Sequence, residues 1–208
     1  LIKINKIGDK FKLNIKIKKK NKFFLLLNNF QNNIYNILAS LAVKSIFFDI
    51  QKLNKKIFLD FKTPEGRGDI SRIKINKKNL NLIDESYNSN PLSLSSALKN
   101  YDKINTRKTK KYLLIGDMLE LGSLSKKLHE SILPVINQTN IDKVFVKGKK
   151  VSSIFNKISK PKKGRIFKST SQIISFIRND LKNNDYLMIK ASNATGFNKI
   201  VKKLKGTN

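Results

Sequence analysis

The chain opens on alternation. Residues 1–7 and 11–17 alternate apolar and polar side chains, strictly so over 11–17, the period of a half-buried strand, and Gly8-Asp9 between them predicts a hairpin turn. Residues 23–27 form a short continuous apolar run that predicts a buried strand. The period then lengthens: Ile34, Ile37, Leu38, Leu41, Ala42 and Ile46 fall on one face and predict a helix over 33–47, with a weaker helix following over 49–57. The stretch TPEGRG at 63–68 breaks every period and reads as a loop. Strands are predicted at 71–75 and 80–83, and a helix at 91–101, where the fixed φ of Pro91 suits a first turn.

Residues 102–110 are polar and Lys-rich, and the domain boundary is placed there. Beyond them the pattern becomes regular, with strands at 112–115, 143–146, 165–167 and 186–189 and helices at 125–137, 150–157, 170–182 and 196–204. Alternating strands and helices of this length predict an α/β fold built on a mostly parallel sheet covered on both faces. The chain has no internal repeat, and its Lys runs at 18–20 and 160–163 read as solvated turns.

Composition narrows the function classes. No stretch reaches the ~18 apolar residues of a membrane span; the most apolar piece, 34–48, is interrupted by Asn36, Ser40, Lys44 and Ser45. With no signal-peptide pattern, the expected localisation is cytoplasmic. The first residue is Leu1, which leads to the expectation that the chain starts inside a longer reading frame. The absence of Cys excludes a disulfide framework and a thiolate zinc site, and a lone His129 excludes a multi-histidine metal centre. A net charge of +30 invites a nucleic-acid reading. Only five of the 44 basic residues are Arg, however, and the excess is spread along the whole chain among many Asn and Ile. That distribution fits a coding bias that places Lys at solvated positions, so no specific nucleic-acid partner is expected.

Three polar clusters fall just after predicted strands: DESYNSNP at 84–91, GDMLELG at 116–122 and KASNATG at 190–196. Open parallel sheets bind their ligands at strand ends, so carboxylates, amides and glycines gathered at three such ends predict a small polar ligand. The blocks also carry a resemblance. DESYNSNPLSLSSAL at 84–98, GDMLELGSLSKKLHESI at 116–132 and KASNATGFNKIVKKL at 190–204 resemble, in order and spacing, blocks of the Mur ligase family. NNIYNILASLAV at 32–43 is similar to that family's HNVxNALAAAA helix, and PEGR at 64–67 to its P-x-x-GR loop.

The resemblance implies the tail of a central ATP-binding domain over 1–107 and a Rossmann-like C-terminal domain over 108–208. It implies ATP-dependent amide formation through an acyl phosphate, with D-alanyl-D-alanine added to a UDP-MurNAc-tripeptide in peptidoglycan precursor synthesis by a monomeric enzyme. ATP and Mg²⁺ are the implied cofactors. On the nucleotide side it implies Asn36 at adenine, Arg67 at the phosphates, and Glu85 at the ribose where the family usually has Asp. Ser86, Tyr87 and Asn88 would line the cleft. On the dipeptide side it implies Asp117, Met118 and Glu120 on one edge and Lys190, Ser192 and Asn193 on the other. Acid facing Lys and Ser suits a ligand with an ammonium at one end and a carboxylate at the other.

Blander readings stand beside these: Tyr87 in a core, Asp117 as a cap, and His129 as a structural histidine. The chain also departs from the family's pattern. Asn32 stands where the family has a His proposed to help hold a second Mg²⁺, so no metal ligand is assigned, and Ala191 replaces a Gly. No G-x-x-x-x-G-K-[ST] loop occurs, so no catalytic residue is assigned and these 208 residues alone are expected not to turn over ATP. Two other readings remain open, a basic nucleic-acid-binding module and an inactive truncated gene product.

Overall fold

The computed structural model describes residues 1–27, 31–61, 64–106 and 108–206, which separate into two compact units, 1–63 and 64–208. In the smaller unit, β1 (Lys3–Ile7), β2 (Lys10–Ile17) and β3 (Lys20–Leu26) form an antiparallel meander, and α1 (Gln31–Phe47) packs on it. The strand period sends Leu13, Ile15, Phe24 and Leu26 to one face. There they meet Ile34, Ile37 and Leu41, spaced at three and four residues along α1. The helix predicted over 49–57 shrinks to a single 3₁₀ turn, Ile50–Lys52. Asp49 caps that turn by accepting the amide of Gln51 at 3.0 Å, and Asn54 takes the amide of Lys56 at 2.9 Å, so short polar side chains claim donors a longer helix would need.

The larger unit is a six-stranded sheet in the order β4-β5-β9-β6-β7-β8. Its strands are β4 (Asp69–Ile75), β5 (Lys78–Glu85), β6 (Lys111–Gly116), β7 (Lys143–Lys147), β8 (Lys163–Ile166) and β9 (Tyr186–Lys190). All neighbours pair in parallel except the edge hairpin β4–β5. Helices α2 (Pro91–Asp102), α4 (Leu133–Gln138) and α5 (Lys149–Ser152) serve one core, while α6 (Thr170–Asn179) and α7 (Phe197–Lys205) serve the other; α3 (Ser125–Glu130) buries only His129. Adjacent residues on a strand feed opposite cores: Leu113 packs with Ile83, Leu98 and Ile136, while Leu114 packs with Leu82, Phe176 and Phe197. The α/β expectation and its mostly parallel sheet therefore hold.

Three expectations change. The helix predicted over 125–137 is two helices, because Pro134 lacks an amide proton and its ring cannot continue α3; it sits in the first turn of α4 instead. The boundary predicted at 102–110 falls inside the larger unit, whose β4 and β5 share one sheet with β6–β9. Lys110 and Lys111 donate their amides to Asp185 and Asp142, so this polar stretch is stitched into the fold; Arg107 lies outside the described residues. The Lys run at 160–163 is likewise structural. It forms a 3₁₀ turn and the start of β8, with the Lys162 and Lys163 ammonium groups donating to the carbonyls of Thr139 and Asn156.

Candidate functional site

Because β5, β9 and β6 are adjacent and parallel, their C-terminal ends lie side by side, with Glu85 opposite Lys190 and Lys190 opposite Ile115. The three polar clusters predicted to follow strands therefore converge on one edge of the larger unit. They do not flank a domain boundary.

The loop at 64–68 is fastened to the end of β5. Gly68 donates its amide to the Asp84 carbonyl at 2.7 Å, and Tyr87 donates to the Gly66 carbonyl at 3.1 Å. This brings the exposed Arg67 guanidinium over the half-exposed Tyr87 ring, 4.3 Å from its centroid. Stacking leaves the edge of the planar guanidinium free to meet an anion. Tyr87 is thus a surface platform and no part of a core. Ser86 turns inward: it is 1% exposed and gives both its amide, at 3.0 Å, and its hydroxyl, at 2.6 Å, to Asp84. Asn88 is exposed at the rim and its side chain takes the amide of Ser89.

Glu85 and Lys190, assigned by sequence to two different ligands, hold each other. The Lys190 ammonium is 1% exposed and lies 3.1 Å from Glu85 Oε2 and 3.0 Å from the Asn88 carbonyl. Burial pushes the Glu85 carboxyl up from its ordinary range, and the pull of Lys190 offsets only part of that rise. Lys190 is therefore a buried organiser of residues 85–88, and its ammonium does not face the cleft. The replacement at Ala191 is met across the sheet: it is fully buried, and a Cβ on Gly116 would come within 2.6 Å of its own. Glycine at 116 makes room for the methyl, and Ala191 keeps an ordinary backbone conformation.

The 116–122 loop is held at three points. Asp117 reaches over Gly148, whose φ of +144° and missing side chain leave room for the carboxylate, and accepts the amide of Val151 at 2.7 Å, capping α5. Met118 is buried in the core, and its amide donates to His129 Nε2 at 3.1 Å. The other ring nitrogen, Nδ1, lies 2.7 Å from the Ser125 carbonyl, so the proton sits on Nδ1 and His129 is a buried pin. Ser192 is 5% exposed; its hydroxyl accepts the Leu119 amide at 2.9 Å and donates to the Ser89 carbonyl at 3.3 Å. One side chain thereby ties all three strand-end loops together.

An open cleft of about 560 Å³ remains outside these fastenings, lined among others by Tyr87, Asn88, Glu120, Ser192, Asn193 and Lys199. Of the residues predicted at the dipeptide, Glu120 and Asn193 present exposed side chains here, while Asp117, Met118, Lys190 and Ser192 are engaged in the scaffold. Sequence reasoning missed Lys199, an exposed cation in the first turn of α7; its only signal was its place inside the 190–204 block, three residues after Gly196. Among the described residues, neither Glu120 nor Lys199 makes an ion pair. Asp84, which is buried, and the partly buried Asp69 and Lys205, none of them assigned a role from sequence, form an ion-pair cluster behind the 64–68 loop. Asn36 belongs to the smaller unit and is exposed on α1, its carbonyl accepting from Ser40 at 2.8 Å. Asn32 lies within α1, but its side chain is outside the described residues.

The profile of the family described as "Mur ligase, glutamate ligase domain" matches residues 71–193, from β4 to the loop after β9. Over 177 residues the chain is 32% identical to the UDP-N-acetylmuramoyl-tripeptide–D-alanyl-D-alanine ligase of Rickettsia prowazekii, covering 83% of this chain and 36% of that protein. To the enzyme of the same name in Bacillus subtilis it is 27% identical over 187 residues, covering 88% of this chain and 40% of that one. The chain thus spans about two fifths or less of the length of these curated relatives. Its fold resembles that of the MurF ligase of Thermotoga maritima solved in complex with ADP, with a TM-score of 0.73 at 21% identity over 98% of this chain and 45% of that one. Against MurF of Acinetobacter baumannii the TM-score is 0.76 at 18% identity, over 99% of this chain and 44% of that one.

Proposed function

The chain belongs to the Mur ligase family, and from that premise we propose that it forms the nucleotide-facing and amine-accepting part of an ATP-dependent ligase that adds D-alanyl-D-alanine to a UDP-MurNAc-tripeptide. In the proposed reaction the γ-phosphoryl group of ATP passes to the tripeptide carboxylate, giving an acyl phosphate and ADP. The dipeptide amine then attacks the acyl carbon, a proton leaves the nitrogen, and the tetrahedral intermediate collapses to an amide and inorganic phosphate. Such chemistry rests mainly on positioning and charge neutralisation.

The observation that carries the reading is the cleft at the strand ends of a family-matched domain, with an unpaired Glu120 and an unpaired Lys199 on its lining. D-alanyl-D-alanine presents one ammonium and one carboxylate. In this proposal Glu120 receives the ammonium, Lys199 the carboxylate, and Asn193 the amide between them. Lys199 takes the part that the family resemblance had given to Lys190. On the nucleotide side, Arg67 stacked on Tyr87 offers a fixed guanidinium to phosphate. Glu85 keeps Oε1 free of any hydrogen bond among the described residues, and a ribose hydroxyl can donate to that atom. Asn36 is proposed to meet adenine, and the smaller unit to be the tail of the central ATP-binding domain. Mg²⁺ enters through the family alone: among the described residues no three His, Cys, Asp or Glu side chains gather to hold an ion, so no step is assigned to it. Cytoplasmic localisation and a monomeric state belong to the same proposal; no described helix is long and apolar enough to cross a membrane.

Titrating the chain with D-alanyl-D-alanine under NMR observation tests this. The expected result is saturable shifts at the amides of Glu120, Asn193 and Lys199, with affinity falling in Lys199→Met and in Glu120→Gln. ADP is expected to shift Arg67 and Tyr87 instead. No shift from the dipeptide at millimolar concentration would overturn the acceptor assignment.

A further inference from the structure

We propose that Lys205, in the last turn of α7, is the positioning residue for the two loops that carry Arg67 and Tyr87. Its ammonium lies 2.6 Å from Asp69 Oδ2 and 3.3 Å from Asp84 Oδ2. Each carboxylate spends its other oxygen on a loop amide. Asp69 Oδ1 accepts from Gly66 at 3.0 Å, and Asp84 Oδ1 accepts from the amide of Ser86 at 3.0 Å and its hydroxyl at 2.6 Å. A single cation is thus two contacts away from Gly66 and from Ser86, the residues that immediately precede Arg67 and Tyr87.

The arrangement has the marks of a fixed device. The side chains of Lys205, Asp69 and Asp84 are 17%, 24% and 6% exposed, so the ammonium works where water competes poorly. Asp69 and Asp84 stand directly opposite each other in the β4–β5 register, and without a cation between them two carboxylates would repel across that pair. Burial disfavours the ammonium, but the hydrogen bonds and charges of Asp69 and Asp84 together outweigh it, which leaves its proton bound more tightly than in an ordinary lysine. Lys205 touches neither Arg67 nor Tyr87; it acts through the carboxylates. Its consequence for the nucleotide rests on the function proposed above.

Backbone hydrogen exchange on the full 208-residue chain separates positioning from general stability. In Lys205→Met the Gly66 and Ser86 amides are expected to exchange roughly tenfold faster or more, the loss of a charge-assisted contact. The Leu113 amide in the middle of the sheet keeps its wild-type protection. Lys205→Arg restores most of the protection at both loops, and Lys203→Met, exposed on the same turn, changes nothing. Asp69→Asn, which breaks one branch only, loosens Gly66 and leaves Ser86 protected, and it keeps the test decisive if Lys205→Met fails to fold. Unchanged protection at both loops, or an equal loss at Leu113, overturns the proposal. An ADP titration of Lys205→Met serves as a second arm: loosened loops with unchanged ADP affinity would leave the positioning role standing and remove the nucleotide role of Arg67 and Tyr87.

Discussion

Residues 64–206 and residues 1–61 bury apolar surface in different ways. In the larger unit the sheet has a core on each face, and its helices turn their apolar stripes inward: Ile173, Phe176 and Ile177 of α6 are buried, as are Leu94, Ala97, Leu98 and Tyr101 of α2. In the smaller unit α1 is apolar on two sides. Ile34, Ile37 and Leu41 close a single core, while Tyr35, Val43, Ile46 and Phe47 stay in water, the last two at 70% and 72% exposure. A helix apolar all round is ordinarily buried all round. The larger unit is therefore closed on its own terms, and the smaller one holds together through one layer of contacts.

The largest expected effect follows from that closure. Leu113→Ala, at a fully buried position between strands, is expected to remove ~2–5 kcal/mol from the larger unit. It is read as a lower guanidinium midpoint for exchange at β6 and β9, with β2 and β3 unaffected; an equal shift in both units would break the comparison. Next is Asp117→Ala, which uncaps α5 and is expected to cost about 1 kcal/mol in the same assay. No loss would mean that the carboxylate is free for a ligand after all.

Glu85→Gln gives a smaller difference whose sign depends on pH. Burial raises this carboxyl in the folded state, so its contribution to stability is fully present below the unfolded carboxyl value and is lost as pH climbs through the raised one. The wild type is expected to lose ground to Glu85→Gln as pH rises through the carboxylate range, despite its ion pair. The opposite slope would show that Lys190 outweighs burial. The smallest effect belongs to the open side of α1: Ile46→Lys is expected to change stability by less than about 0.5 kcal/mol while improving solubility. A loss like that of Leu113→Ala would mean the face is covered in solution.

Local periods made most elements legible, and the strand-end clusters come together at one edge of the sheet. What escaped the sequence depends on who neighbours whom. The boundary at 102–110 looked like a linker because its residues are polar, yet the Lys110 amide at its end and the Lys111 amide just after it are taken by Asp185 and Asp142, which lie far along the chain. Lys190 looked like a ligand-facing cation until the parallel register put Glu85 beside it. Ser86 and Met118 follow motif positions faithfully, but a loop alternates inward and outward residues without a period to read. Asp84 opened the DESYNSNP cluster and Asp69 lay outside every motif, and only the β4–β5 pairing and the end of α7 bring the two together on one cation.

The position of β9 has a consequence in time. The strand at the centre of the candidate site, between β5 and β6, is the last of the six in the chain. During synthesis the β4–β5 hairpin and the β6–β7–β8 half emerge first, each with an open edge where residues 186–190 will lie. Neither half can join the other until that segment leaves the ribosome, and both edges stay available to wrong partners meanwhile. Insertion of one late strand then completes the sheet and brings Lys190 and Ser192 to their loops in the same event. A ribosome-arrested chain ending before residue 186 should show protease-sensitive halves, whereas one releasing residues 186–206 should become resistant in a single step.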